Sequence, residues 1–175
     1  MLFTRFAPSP TGYLHRGHLL SALFVFAAAD LFSAKVRLRI EDHDKSRARK
    51  EYIDSIPEDL ERFGFKFESV SLQSNRQALY EKYAQLLFSK QKLYPCSCSR
   101  KKLFEENPIN ADGEVIYSGH CLKNPVNKNS DFALRFKTPD KNILWEDLLL
   151  GKFEENPKNQ CGDFTIKDRI SQWTY

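Results

Sequence analysis

The first forty residues constrain the fold more tightly than any other part of the chain. Leu2, Phe3 and Phe6 make residues 2–6 read as a short strand, which runs into the turn Ala7-Pro8-Ser9-Pro10-Thr11-Gly12. The turn opens directly onto an apolar run, 17–32, expected to be an amphipathic to fully buried helix. Residues 36–40 (Val36-Arg37-Leu38-Arg39-Ile40) then alternate apolar and basic, as a second strand does. Strand, turn, helix and strand in that order are a βαβ unit. The expected fold class is therefore α/β, a Rossmann-type parallel sheet with flanking helices, whose ligand site lies at the carboxyl end of the first strand. His15 and His18 flank Gly17 where the helix begins. Free N–H groups and the positive end of the dipole make a helix start a phosphate site, and imidazoles placed there can donate to phosphate oxygens. Gly17 lets a ligand come close to the backbone.

Further along, Glu41-Asp42-His43-Asp44 follows the second strand, and 49–62 reads as a helix with Ile53, Ile56 and Leu60 on one side. Pro57 should kink or restart it, and Gly64 should end it. Residues 74–90 read as a helix capped by Ser74, with Leu79, Tyr83, Leu86 and Leu87 as a buried stripe. From 94 to 130 Pro, Gly, Asn and Cys become common and periodicity fades, as in an insertion. Residues 132–136 and 163–167 look like strands, with a short apolar segment at 145–150 between them.

A hydrophobic share of 41% with 14 Phe is enough for a sizeable core. The longest apolar run, 19–32, is interrupted by Ser21 and Asp30 and is too short to span a bilayer. No secretory leader pattern is visible, so a cytoplasmic protein without a membrane partner is expected. A net charge of +4 is compatible with nucleic acid without being diagnostic of it. The small clusters Arg47, Arg49, Lys50 and Arg100, Lys101, Lys102 read as solvated helix faces, with RNA phosphate contact as the sharper alternative.

Of the four cysteines, Cys96, Cys98 and Cys121 form one local constellation, and Cys161 stands apart as an ordinary thiol. Three thiolates and one further donor make a closed, tetrahedral, structural zinc site. Tyr117 and His120 both stand close enough in sequence to be the fourth ligand, and chemistry alone prefers the imidazole.

His15-Arg16-Gly17-His18 resembles the HIGH signature of class I aminoacyl-tRNA synthetases. With the preceding Arg5-Phe6-Ala7-Pro8-Ser9-Pro10-Thr11-Gly12 it is similar to the glutamyl group, which holds the glutamyl-tRNA synthetases and the shortened glutamyl-queuosine tRNA(Asp) synthetases. Arg39-Ile40-Glu41-Asp42 matches that group's RIED pattern; the plainer reading is a surface ion pair between Arg39 and Glu41. Cys96-x-Cys98 with Tyr117-x-Gly119-His120-Cys121 is similar to the zinc motif of the shortened enzymes, which implies Cys96, Cys98, Tyr117 and Cys121 as ligands of one structural zinc.

The resemblance further implies that Arg5, Ser9, Glu41 and Tyr175 bind glutamate with the Ala7 backbone. Tyr175 enters only through a loose fit of 163–169 to the family pattern. Pro8, Ser9, His15, Gly17 and His18 would hold ATP, which arrives with Mg2+, and His15 and His18 would be the catalytic pair. The implied reaction makes glutamyl-adenylate and pyrophosphate, then passes the glutamyl group to queuosine in the anticodon of tRNA(Asp). In a glutamyl-tRNA synthetase the acceptor is the tRNA 3′ end. The shortened enzymes activate glutamate without tRNA. The implied organisation is a first Rossmann half over 1–93, a zinc-binding insertion over 94–130, and a return toward the catalytic domain over 131–175. The family's second, KMSKS-type signature does not occur in the sequence, so a monomer with little or no activity of its own, or a non-catalytic zinc-containing binding module, are also expected outcomes.

Overall fold

The computed structural model describes residues 1–126, 131–169, 173 and 174. The chain divides into two compact units, Met1–Tyr80 and Glu81–Tyr175. No helix among the described residues is long and apolar enough to cross a membrane.

The first unit is built from β1 (Leu2–Phe6), α1 (Arg16–Leu31), β2 (Ala34–Ile40), α2 (Lys50–Arg62) and β3 (Ser69–Leu72). The strands form a parallel sheet in the order β1-β2-β3, in which Arg5 lies opposite Arg37, Phe6 opposite Leu38, and Leu38 opposite Val70. The α/β class with a parallel sheet is as expected. Alternation along the strands gives the sheet two different faces. Phe6, Val36, Leu38 and Ile40 are buried with Ala22 and Ala29 of α1 and Ile56 and Leu60 of α2. Each large aliphatic side chain buried this way contributes about 1.5–3 kcal/mol. The opposite face carries Arg5, Arg37 and Arg39.

α1 departs from its expected burial. Among its residues only Ala22 and Ala29 are buried, whereas Leu20, Leu23, Phe24 and Leu31 are exposed. Small side chains are the fully buried ones, Val25 and Phe26 pack half-buried against the same core, and the other bulky residues stay outside. α2 matches its expectation, with Ile56 and Leu60 buried and Ile53 half-buried, and it continues through Pro57. It closes on Gly64, whose φ is +84°, with Phe65 N–H bonded to Leu60 O (3.0 Å) and Gly64 N–H to Glu61 O (2.9 Å). That pair of bonds is a Schellman ending, which requires the left-handed residue glycine supplies.

A 3-10 turn, Ser74–Arg76, leads into α3 (Gln77–Ser89). Ser74 does not cap α3. Its N–H and hydroxyl both bond the carboxylate of Asp42, at 2.8 and 2.5 Å. The expected stripe is also displaced. Leu79, Tyr83 and Leu86 are exposed, while Ala84 is buried and Tyr80 and Leu87 are half-buried. The inner face runs through 80, 84 and 87, so Leu87 keeps its expected place while 79, 83 and 86 give way to positions one residue and about 100° round.

The second unit adds β4 (Leu93–Cys96), α4 (Arg100–Glu106), α5 (His120–Lys123), β5 (Ala133–Phe136), β6 (Ile143–Asp147), β7 (Gly151–Glu155), α6 (Pro157–Cys161) and β8 (Thr165–Lys167). β4, β5 and β8 form an antiparallel sheet in that order, and β6–β7 is a separate hairpin. Across the hairpin Trp145 stacks on Phe153 at 5.4 Å, and its tip exposes Leu148, Leu149 and Leu150. Trp173 is buried beside β8, bridging to Lys167. A small core of Tyr94, Cys96, Tyr117 and Cys121 closes the end of β4.

Candidate functional site

In the first unit, His15 is the N-cap of α1, with an extended backbone. Its Nδ1 accepts the Gly17 N–H (3.1 Å), and Nδ1 of His18 accepts the His15 N–H (3.2 Å). The two imidazoles thus make a reciprocal capping box, with ring centroids 3.9 Å apart. A neutral ring that accepts at Nδ1 carries its proton on Nε2. Both histidines therefore present Nε2–H donors beside a helix N-terminus. His18 is held below the ordinary imidazole value, first by burial and then by the neighbouring His15, which favours that neutral form. Gly17 leaves room for the His15 ring, since a Cβ there would lie 3.0 Å from His15 Cε1.

The Pro-rich turn is fixed from both sides. Pro8 O accepts the Glu41 N–H (3.0 Å), and Pro10 O accepts the Arg49 N–H (3.2 Å) at the start of α2. Pro8 and Pro10 are buried, and Ala7 and Ser9 half-buried. Tyr13 meets Tyr52 edge-on at 4.8 Å. The turn therefore brings the Ser9 and Glu41 backbones to one end of the sheet.

Glu41 does pair with Arg39, as the plainer reading had it, through Nε–Oε1 and Nη2–Oε1 contacts of 2.7 and 2.5 Å. The pair is not at the surface, because the Glu41 side chain is 4% exposed. Only Oε1 is used. Oε2 is buried without a hydrogen-bond partner, and His43 Nδ1 lies 3.7 Å from it. A buried carboxylate oxygen left unbonded costs free energy that a cationic donor would recover. Arg5 is exposed at the end of β1, and Tyr175 lies outside the described residues. Both basic clusters read from the sequence are engaged on their own segments: Arg47 with Asp44, Lys50 with Asp54, Lys101 with Glu105 and Lys102 with Glu106. Asp44 is held at about 2 by its bonds from Ser46 and Arg47.

In the second unit the end of β4 and the start of α5 bring Cys96, Cys98 and Cys121 together, with ligand atoms all within 4.8 Å of one another. Tyr117 Oη lies 3.5 Å from Sγ of both Cys96 and Cys98, and accepts the Cys121 N–H at 2.9 Å. Sγ of Cys98 and Cys121 are 3.4 Å apart. Tetrahedral zinc with bonds of about 2.3 Å separates its sulfurs by about 3.8 Å, so this donor set fits the metal. Of the two fourth donors the sequence left open, the phenol faces the thiols. His120 Nε2 instead meets Lys102 Nζ at 3.0 Å, and its Nδ1 faces Glu106.

Burial pushes the Cys98 thiol up to about 11 and raises Tyr117 far above its usual range. Cys121 falls to about 7, because hydrogen bonds from Tyr117, the Ser97 backbone and the other thiols outweigh its burial. Of Cys98 and Cys121, Cys121 therefore gives up its proton first.

Tyr117 is held by residues the sequence did not single out. The Arg135 guanidinium covers its ring at 3.9 Å and donates to Asp163 O. Gly162 bridges to it along the backbone, with φ +60°; a Cβ there would fall 2.3 Å from Tyr117 O. Asp163, wholly buried, accepts from Tyr94 Oη, Thr138 N–H and Lys158 Nζ. The signal available was the Gly162-Asp163 pair itself, a turn residue beside an acid just ahead of the strand at 165–167.

Comparison with known proteins locates these arrangements. The family "tRNA synthetases class I (E and Q), catalytic domain" matches residues 1–175. The chain is 37% identical over 175 residues to the Glutamyl-Q tRNA(Asp) synthetase of Neisseria meningitidis serogroup C (strain 053442), covering 98% of this chain and 59% of that protein. It is 35% identical over 182 residues to the Glutamate--tRNA ligase of Aquifex aeolicus (strain VF5), covering 98% of this chain and 38% of that one. Among solved structures, a glutamate tRNA ligase from Elizabethkingia meningosepticum CCUG26117, in complex with its amino acid, superposes with a TM-score of 0.81 at 26% identity. That match covers 99% of this chain and 40% of the other. The chain thus spans about three fifths of the Neisseria relative's length.

Proposed function

Because the chain belongs to the class I tRNA synthetase (E and Q) catalytic-domain family, we propose that it activates glutamate with ATP and passes the glutamyl group to queuosine in the anticodon of tRNA(Asp). The observation that carries the first step is the imidazole capping box, which spends both Nδ1 atoms on the backbone and leaves two Nε2–H donors at the α1 N-terminus. There they would bind the ATP phosphates that arrive with Mg2+, and stabilise the charge that grows as the glutamate carboxylate attacks the α-phosphate. Gly17 and the Pro8–Ser9 backbone complete the nucleotide cradle. The free Oε2 of Glu41 would accept the substrate's α-ammonium, while Arg5 pairs with a carboxylate and Ser9, Ala7 and Tyr175 close the pocket.

Cys96, Cys98, Tyr117 and Cys121 would hold one zinc ion. Bound there, the metal supplies shape and no catalytic step, because protein donors fill all four positions. The phenol facing the thiols supports the queuosine-modifying reading, since that enzyme group resembles this chain in its Tyr-x-Gly-His-Cys motif. The second reading, a glutamyl-tRNA synthetase that charges the tRNA 3′ end, is favoured by the likeness to glutamate tRNA ligases.

Glutamate-dependent ATP–pyrophosphate exchange by the longest product of the gene tests the proposal. Exchange without tRNA is the expected result. Exchange that requires tRNA moves the assignment to the second reading, and silence in both conditions overturns both in favour of a non-catalytic binding module. Glu41→Gln should abolish glutamate binding with the fold intact, and undiminished affinity in calorimetry would remove Glu41 from the site.

A further inference from the structure

β6 and β7 pair only with each other among the described residues, so each strand keeps one free edge of main-chain N–H and C=O groups. A lone two-stranded hairpin is marginal in water, and three or more strands are what normally secure one. The two edges differ. β7 carries Lys152, Glu154 and Glu155, and charges of this kind keep an edge from pairing. Glu154 and Glu155 are also engaged by Asn142 and Gln160. β6 instead runs Ile143-Leu144-Trp145, and every residue from 139 to 150 is exposed. An exposed apolar edge strand is a ready template for pairing with another chain.

The sequence around β6 is complementary to itself. When two copies of one strand pair antiparallel about a twofold axis, directly opposed residues share a face, so the axis passes through a residue. With the axis at Ile143, Glu146 would face the other copy's Asp140. With the axis at Trp145, Ile143 would face Asp147 and Leu144 would face Glu146. At Leu144 the fit is different: Lys141 faces Asp147, Asn142 faces Glu146 and Ile143 faces Trp145, each of them twice. Opposite charges and aromatic–β-branched neighbours are the favourable cross-strand pairs, and like charges the unfavourable ones. Both charged groups are available. Lys141 makes no ion pair among the described residues. Asp147 accepts the Leu149 and Leu150 N–H groups through Oδ1, at 2.9 Å each, which leaves Oδ2 open.

We propose that β6 is a self-association edge whose occupant is β6 of a second copy of this chain, paired antiparallel about Leu144. The two hairpins then become one four-stranded sheet in the order β7-β6-β6′-β7′, and each ladder group on the free edge of β6 gains a partner. Ile143, Trp145 and Phe153 lie on one face of the hairpin, so the pairing joins them into a continuous apolar stripe across both copies. The free edge and its charge register thus point away from the monomer expected from the sequence. None of the residues proposed to hold phosphate, glutamate or zinc lies in the hairpin, so the inference stands apart from the proposed reaction.

Sedimentation equilibrium on the whole chain tests it. A reversible monomer–dimer equilibrium is the expected result. Leu144 is 73% exposed, so Leu144→Lys leaves the protomer folded while setting two cations against each other on the axis. It should weaken the dimer about tenfold or more. Lys141→Glu and Asp147→Lys should each weaken it as well, because each places like charges opposite one another twice. An equimolar mixture of those two variants should dimerise again, since both ion pairs re-form with their signs exchanged. Should Asp147→Lys loosen the turn, Leu144→Lys and Lys141→Glu carry the comparison. A chain still monomeric at about 1 mM would overturn the proposal. So would a dimer indifferent to Leu144→Lys, or one lost instead with Phe24→Ser on the exposed side of α1.

Discussion

His15 and His18 use the same ring atom, Nδ1, to bond the backbone, and a proton there ends the bond. For His18 the folded state resists that proton, since burial and then the His15 charge lower its value from about 6.5. Below that pH the unfolded chain therefore binds more protons than the folded one, so stability falls as pH falls through this window and rises with pH across it. The thermal midpoint should drop between about pH 7.5 and about pH 5.5, and His18→Asn, which keeps an acceptor without titrating, should flatten the slope. An unchanged slope in that variant would assign the effect to another group.

Gly17→Ala sets two terms against each other. Alanine gains up to about 1 kcal/mol of helix propensity, while displacing the His15 ring loses about 1 kcal/mol of cap. The expected result is stability within about 0.5 kcal/mol of the parent with exchange activity abolished. Retained activity would show that the ring position is not critical. The identity of this motif was legible in the sequence. The inward use of both Nδ1 atoms was not, because a tautomer follows from backbone geometry that residue types do not encode. Nor was the free oxygen of Glu41, since pairing with Arg39 could be foreseen but not which carboxylate atom it would occupy.

Among elements, β1, α1 and β2 were readable because their apolar periods differ and a Pro-rich turn separates them. α3 was misread by one position: its largest apolar residues do not mark the inner face, and Ala84 does. The β4-β5-β8 sheet was legible only as separate strands, since its pairings join segments near 93, 134 and 166 and no local pattern records such partners. The same distance hid the support behind Tyr117. Gly162→Ala should cost about 3 kcal/mol, because the new Cβ would fall on Tyr117 backbone atoms rather than on a yielding side chain. Zinc content should fall in parallel, as measured by metal analysis of the purified variant. A variant of parent stability and metal content would show that the Tyr117–Gly162 contact opens freely.

At the scale of the whole molecule, the histidine capping box lies in Met1–Tyr80 and the thiol cluster in Glu81–Tyr175. Loss of metal should accordingly be felt unevenly. Cys98→Ser, or a chelator, should release the zinc and strip hydrogen-exchange protection from residues 96–125, while β1, β2 and α2 keep theirs. Unchanged zinc in Cys98→Ser would remove Cys98 from the ligand set, and equal loss of protection in both units would show that they unfold as one.

Both tryptophans of the chain, Trp145 and Trp173, belong to the second unit, one stacked on Phe153 in the hairpin and one buried beside β8. Intrinsic fluorescence is therefore a one-sided reporter. An emission-monitored melting curve would follow the cysteine-bearing unit and remain blind to the parallel sheet, while ellipticity at helical wavelengths would register α1 and α2. Midpoints from the two signals that disagree would show the two units unfolding in separate steps, since a single two-state transition gives one midpoint wherever the indoles sit.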